Sequence, residues 1–375
     1  MELISYAALP LLPQSRVDPL SPQKSPAYDN EKWGAAFWAE QVAFWDKARS
    51  NYLPFVIWSV RKWHGEFINT DDTEMGTWRR TIQATGKQCG PGNMRQVWVF
   101  GGSTVFGIGT PDAETIPSYL AHEYNGSPSS CVVITNFGSE GYVTNQELIL
   151  LTQQLKSGRR PDVAIFYDGI NDALVGGFSP GDATEHWSFE NIRSRFESND
   201  SGRLGWLKKS HFWRLIGLLT EKKRLTQSAS TSDSELAGKA RATIGNYESN
   251  LKMVRLLADD YGFRTYFFWQ PVLPYGDKPL TPFEQKLRDT RAQEYQGQVH
   301  RSIEAVYHLA ELDSASKNFV FLGRAFDTTN ELVYVDDFHL GPRGNEIIAK
   351  VIAREVGAVG GAIPRSLSGD KSVTP

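Results

Sequence analysis

Val97-Trp98-Val99-Phe100-Gly101-Gly102-Ser103-Thr104 is an apolar run that ends in two glycines and a serine. Four consecutive apolar residues without polar alternation describe a strand buried on both faces, as in a parallel sheet. The glycines let the backbone turn sharply at the strand's carboxyl end and hold the Ser103 hydroxyl out toward solvent. In an open α/β sheet, reactive groups collect beyond those carboxyl ends. Two nucleotide-binding readings fail here. A phosphate loop needs Lys and then Ser or Thr directly after its last glycine, and Ile108-Gly109 follow Gly107 instead. Gly107-x-Gly109 also lacks the third glycine of a dinucleotide loop.

Outward from this run, the same strand pattern recurs at 132–135, 163–167, 265–269 and 319–322. Helical patterns lie near 116–123, with Pro117 in the first turn, and near 145–155, 236–260, 281–312 and 342–356. Strands alternating with helices predict an α/β chain of three layers, with a central parallel sheet of about five strands.

The flanking regions differ. Residues 1–30 are rich in Pro and Ser and read as a mobile or extended arm. Residues 31–95 hold six of the eleven tryptophans and read as an N-terminal extension packed on the α/β part, with a helix over 31–49 and extended chain over 52–70. Within it, Trp58, Trp63 and Tyr52 read as packing residues rather than as a sugar- or acyl-binding wall. The α/β domain spans 96–360 with an insertion near 176–236, whose Ser/Thr/Lys-rich stretch 222–236 reads as a flexible excursion, and 361–375 is a tail.

Composition removes several function classes. The chain has 375 residues, 40% hydrophobic and 22% charged, enough for a large core. A formal net charge of −3 without a basic stripe argues against nucleic acid as a partner. No apolar run is long enough for a transmembrane helix. The first residues lack the basic start of a signal peptide, which favours a cytoplasmic protein. Cys89 and Cys131 are too few for a disulfide framework or a zinc cluster, and Cys131 reads as a buried small side chain. No metal or cofactor is called for, and the oligomeric state is open.

Three further motifs join Ser103. Asp336 precedes His339 by three residues, so one turn brings its carboxylate against the imidazole. A histidine that takes a proton from serine needs such an acceptor on its other ring nitrogen. His64, His122, His186, His211, His300 and His308 have no comparable setting. Gly169-Ile170-Asn171-Asp172 follows a buried strand, where the Asn171 amide can donate to a developing oxyanion, while Asp172 reads as structural. Asn136-Phe137-Gly138-Ser139-Glu140-Gly141 follows another strand and can aim a glycine N–H into the same crevice.

The four blocks come in the order Ser, Gly, Asn, Asp-x-x-His, and in this the chain resembles the SGNH/GDSL hydrolases. Gly101-Gly102-Ser103-Thr104 is similar to the first block of the branch that carries Gly-Gly-Ser-Thr in place of Gly-Asp-Ser-Leu. The resemblance covers residues 96–356. It implies a flavodoxin-like α/β/α fold and an ester hydrolase working through a covalent acyl-Ser103 intermediate. Ser103, Asp336 and His339 would form the triad. Ser103, Gly141 and Asn171 would form the oxyanion hole. It also implies a small-molecule or carbohydrate ester as substrate, with small O-acyl or acetyl groups favoured. Acyl transfer by the same triad, lipase or thioesterase activity, and a non-catalytic binding module are the alternatives.

Overall fold

The computed structural model describes residues 22–84, 89, 94–126, 131–178, 184–186, 188–197, 232–294, 298–317 and 319–357. Residues 1–21 of the expected arm, 222–231 of the expected excursion and the expected tail 361–375 lie outside them. Residues 22–30 of the arm are not extended: they turn through 3-10 helices at Pro22–Lys24 and Pro26–Tyr28 and bury Tyr28. The chain begins with α1 (Gly34–Lys47) and a set of short strands: β1 (Asn51–Leu53), β2 (Ile57–Ser59), β3 (Trp63–His64), β4 (Asn69–Thr73) and β5 (Gly76–Arg79). β1 and β2 form an antiparallel pair, and β3, β4 and β5 a small antiparallel sheet. Then come β6 (Arg95–Gly101), α2 (Ser103–Phe106), α3 (Ile116–Tyr124), β7 (Val132–Asn136) and α4 (Thr144–Lys156). β8 (Val163–Asp168), α5 (Ile170–Phe178), α6 (Phe189–Glu197), α7 (Asp233–Tyr261) and β9 (Arg264–Trp269) follow. The chain closes with α8 (Pro282–Glu294), α9 (Gln298–Lys317), β10 (Val320–Phe321) and α10 (Pro342–Val356).

All five predicted apolar runs are strands of one parallel sheet, in the spatial order β7-β6-β8-β9-β10. Numbered within the sheet this is 2-1-3-4-5, the flavodoxin-like order. The chain steps outward to one side after β6 and to the other after β8. The carboxyl ends of those two strands therefore flank the switch point where such sheets form their crevice.

Side-chain alternation divides the core into two layers. Trp98, Phe100, Ala164, Phe166, Phe267 and Trp269 face α4, α5, α7 and α9. Val97, Val99, Val163, Ile165, Tyr167 and Phe268 face α3, α8 and α10. Every residue of β8 is buried, which is why no period-two pattern marked these strands. Phe100, Phe166 and Phe267 stand opposite one another across three strands. Their rings stack with centroids 4.8 and 5.2 Å apart, adding cross-strand contact to area burial.

Three further expectations need correction. The helical pattern over 281–312 is two helices, α8 and α9. Leu287 of α8 packs on one face of the sheet and Ile303, Val306 and Tyr307 of α9 on the other, which one straight rod cannot do. Residues 232–236 are not part of an excursion: Ser232 caps α7 by accepting from the Glu235 N–H. Cys131 is not a buried thiol but is joined to Cys89 by a disulfide, with Cα atoms 5.4 Å apart. The pairing follows from tertiary structure. The chain after β5 runs beside β7, where the Gln83 side-chain amide donates to Ile134 O at 2.7 Å and accepts from Ile134 N at 3.1 Å.

A third cluster joins the N-terminal segment to the sheet domain. Tyr28, Phe37, Trp38, Phe44 and Ile68 pack with Phe106, Ile108 and Val335. Beside it, Arg79 is sealed in at 2% exposure. Its Nε donates to Asp112 Oδ1 at 2.6 Å and its Nη2 to Thr110 O at 2.9 Å. Asp112 also accepts from the backbone and side chain of Asn69. Removing one partner of a buried, hydrogen-bonded ion pair strands the other charge. Arg79→Met is therefore expected to cost about 3–5 kcal/mol, read as a lower urea midpoint.

Candidate active site

β6 delivers Ser103 to the switch point. Gly101 and Gly102 are glycine because of crowding rather than for flexibility alone. A Cβ on Gly101 would press on the Tyr167 carbonyl and Val105, and one on Gly102 would overlap the Asn171 amide nitrogen. Ser103 opens the one-turn helix α2, which ends at Gly107 in the left-handed region (φ +93°). Its backbone N–H, like all those in a first turn, has no intrahelical acceptor.

The other groups arrive from neighbouring strand ends. After β7, Asn136 donates to Val105 O at 2.9 Å and accepts from Gly138 N at 2.8 Å, so this loop packs beneath the serine's turn. It then brings Gly141 (φ +74°) to the crevice. After β8, Asn171 donates through Nδ2 to Tyr142 O at 2.8 Å. That acceptor fixes which end of the carboxamide faces the serine and leaves the second N–H on Nδ2 free to point elsewhere. Asp172, next in sequence, turns away. Its carboxylate accepts from Thr144 N and Oγ1 at 3.3 and 2.7 Å, and burial pushes its pKa up to about 6.

His339 comes from the loop before α10. Its Nε2 is 2.7 Å from Ser103 Oγ, and its Nδ1 is 2.7 Å from Asp336 Oδ2. A carboxylate only accepts, so Nδ1 carries the proton and Nε2 presents its lone pair to the serine hydroxyl. Asp336 is itself held by the backbone N–H groups of Phe338 and His339, at 2.9 and 2.7 Å on Oδ1. Burial works to lower the His339 pKa. The charge and hydrogen bond of Asp336, helped by Glu140 and Asp337, outweigh it and hold the imidazole above its ordinary value. Burial likewise works to raise Asp336, and the histidine beside it brings the carboxyl below its usual range.

Ser103, Gly141, Asn171 and His339 line one cavity of about 490 Å³. Ser103 is 8% exposed, and the His339 side chain 17%. Sequence reasoning missed part of the wall: Arg49, Ser50, Glu140 and Ser188 also line it. So does Trp58, contrary to its reading as a packing residue. Trp63 does pack, against Phe44, whereas Tyr52 is 71% exposed. Nothing in the sequence marks Arg49, and the wall and packing readings of Trp58 cannot be told apart there, because their place depends on how the extension docks.

No family model matches the sequence, and no curated protein matches it. Solved structures of similar fold include a member of the lipolytic G-D-S-L family from Veillonella parvula, 11% identical, covering 70% of this chain and 97% of that one at a TM-score of 0.35. A lipase/acylhydrolase from Enterococcus faecalis is 14% identical, with 70% and 95% coverage and a TM-score of 0.36. The acetylxylan esterase Axe2 from Geobacillus stearothermophilus is 14% identical, with 76% and 100% coverage and a TM-score of 0.34. Likeness at this level assigns no activity to the chain, and the chemistry has to come from its own residues.

The electrostatics of the histidine are open to direct measurement. In the native chain the His339 imidazole should titrate above the ordinary histidine value by NMR. In Asp336→Asn, with that carboxylate charge gone and only Glu140 and Asp337 left to oppose burial, it should titrate lower than in the native chain.

Proposed function

We propose that this chain is a serine-dependent esterase of the SGNH/GDSL type. The observation that carries the reading is the 2.7 Å approach of His339 Nε2 to Ser103 Oγ, with Asp336 on the opposite ring nitrogen. A hydroxyl, an imidazole in the accepting tautomer and an orienting carboxylate, set in a crevice, are what nucleophilic acyl chemistry requires.

In this mechanism Ser103 Oγ attacks the ester carbonyl while its proton passes to His339 Nε2. Asp336 stabilises the imidazolium. The carbonyl oxygen, now negative, is held by the backbone N–H of Ser103, the backbone N–H of Gly141 and the Asn171 amide. His339 then gives its proton to the departing alcohol as the C–O bond breaks, leaving acyl-Ser103. Water, deprotonated by the same imidazole, attacks the acyl carbon; the bond to Ser103 Oγ then breaks, Oγ takes the proton back from His339, and the acid leaves.

The cavity bears on the substrate. Ile108, Ile170 and Phe338 give it apolar surface, and Arg49, Ser50, Glu140 and Ser188 add polar groups to the same wall. A small acyl group on a polar alcohol, such as an O-acetylated sugar, suits that mixed lining.

Ser103→Ala is expected to abolish p-nitrophenyl acetate turnover and labelling by a fluorophosphonate while leaving the urea midpoint near that of the parent. Full activity in the folded variant would refute the mechanism. Because the base must be neutral and its pKa is raised, kcat/KM should fall on the acid side through a pKa above the ordinary 6.5 of histidine. Gly102→Ala, by displacing the Asn171 amide, should lower kcat about 10²–10³-fold with little change in KM.

A further inference from the structure

The β1–β2 hairpin reaches the cavity through an unusual set of contacts. Trp58 Nε1 donates to the backbone carbonyl of Glu140 at 2.9 Å. That carbonyl and the N–H of Gly141 belong to the same peptide group. A peptide is planar and trans, so its C=O and N–H point in opposite directions and cannot turn separately. Fixing one end fixes the other. A donor on the carbonyl also polarises the group and strengthens the N–H as a donor.

The surrounding contacts hold this peptide from the same side. The Tyr142 hydroxyl donates to the Trp58 carbonyl, and the two rings meet edge to face at 5.9 Å. The Arg49 guanidinium grips the Glu140 carboxylate with two bonds, Nε to Oε2 at 2.6 Å and Nη2 to Oε1 at 2.5 Å. Gly141 itself sits in the left-handed region and is free to swing when not held. Without such partners a loop peptide flips readily. With them, the Gly141 N–H is set before substrate arrives, and electrostatic stabilisation of a transition state depends on such preorganisation.

We propose that Trp58 is a positioning residue for the oxyanion donor: its indole N–H aims the Glu140–Gly141 peptide into the cavity, and Arg49 holds the Glu140 side chain in support. The proposal rests on the esterase reading, in which the Gly141 N–H receives the oxyanion. It makes the N-terminal hairpin a working part of the site rather than a cover.

Trp58→Phe is the direct test, since it keeps an aromatic ring against Tyr142 and His186 but removes the donor. With p-nitrophenyl acetate, kcat should fall roughly tenfold or more, short of the loss of a whole oxyanion donor, while KM stays within about twofold. The rate of Ser103 labelling by a fluorophosphonate should fall in parallel, because that reaction also places negative oxygen in the hole. Arg49→Met should give a smaller loss of the same kind, and Arg49→Lys should recover part of it. Arg49 is on the surface, so these variants are expected to fold. Unchanged kcat and labelling in Trp58→Phe would overturn the proposal. A raised KM with unchanged kcat would do the same, showing a substrate contact instead. If the parent chain neither turns over the ester nor takes the label, the esterase reading itself fails. If the parent reacts and Trp58→Phe reacts equally, only the positioning role fails.

Discussion

The site depends on one closure: an imidazole from residue 339 meets a hydroxyl from residue 103 at 2.7 Å. Those groups are separated by most of the chain, so their meeting requires the whole sheet to form in a single register. β6 must carry Ser103 to the switch point, and α10 must dock against the face lined by Val97 and Val99 before the loop ahead of it can present His339. The distance leaves no room for a slipped strand. A one-residue shift of β6 would turn its side chains to the opposite face and take Ser103 away from the crevice.

The N-terminal segment contributes to this closure from two sides. Phe106 and Ile108, just after the serine, and Val335, just before Asp336, belong to one cluster with Tyr28, Phe37 and Trp38. The same aromatic mass thus touches both loops that hold the proton-transfer pair. Arg79 adds a polar tie, because its guanidinium also reaches the carbonyl of Thr110 beyond α2. Packing and chemistry are linked here through short connections: two residues separate Phe106 from Ser103, and one peptide bond separates Val335 from Asp336.

Much of the sheet was readable because burial on both faces leaves an unmistakable run of apolar residues, as in Val163–Asp168 up to its last position. Ser103, Gly141 and Asn171 were readable as short motifs at strand ends, and Asp336 and His339 as one just before the last helix; all but Asp336 line one cavity, with Asp336 bonded to His339 behind it. What could not be read was anything created by docking. Arg49, Trp58 and Glu140 meet only because the β1–β2 hairpin lies over the loop after β7, and no local spacing encodes that. The disulfide escaped for the same reason: Cys89 reaches Cys131 only after Gln83 has been laid along β7. The helix pattern over 281–312 carried a consistent period, but the choice of opposite sheet faces for Leu287 and Tyr307 is a tertiary fact.

The side-chain amide of Gln83 has a companion on the same strand. Asn125 donates to Val132 O at 2.8 Å and accepts from Val132 N at 2.9 Å, repeating at Val132 what Gln83 does at Ile134. β7 is the outermost strand on that side, and Val132 and Ile134 turn their backbone groups away from β6. Two carboxamides thus stand in for the peptide groups of a missing neighbour. A stray strand from another molecule would find these positions already taken, so the sheet is closed to templated growth along this border without a sixth strand of its own.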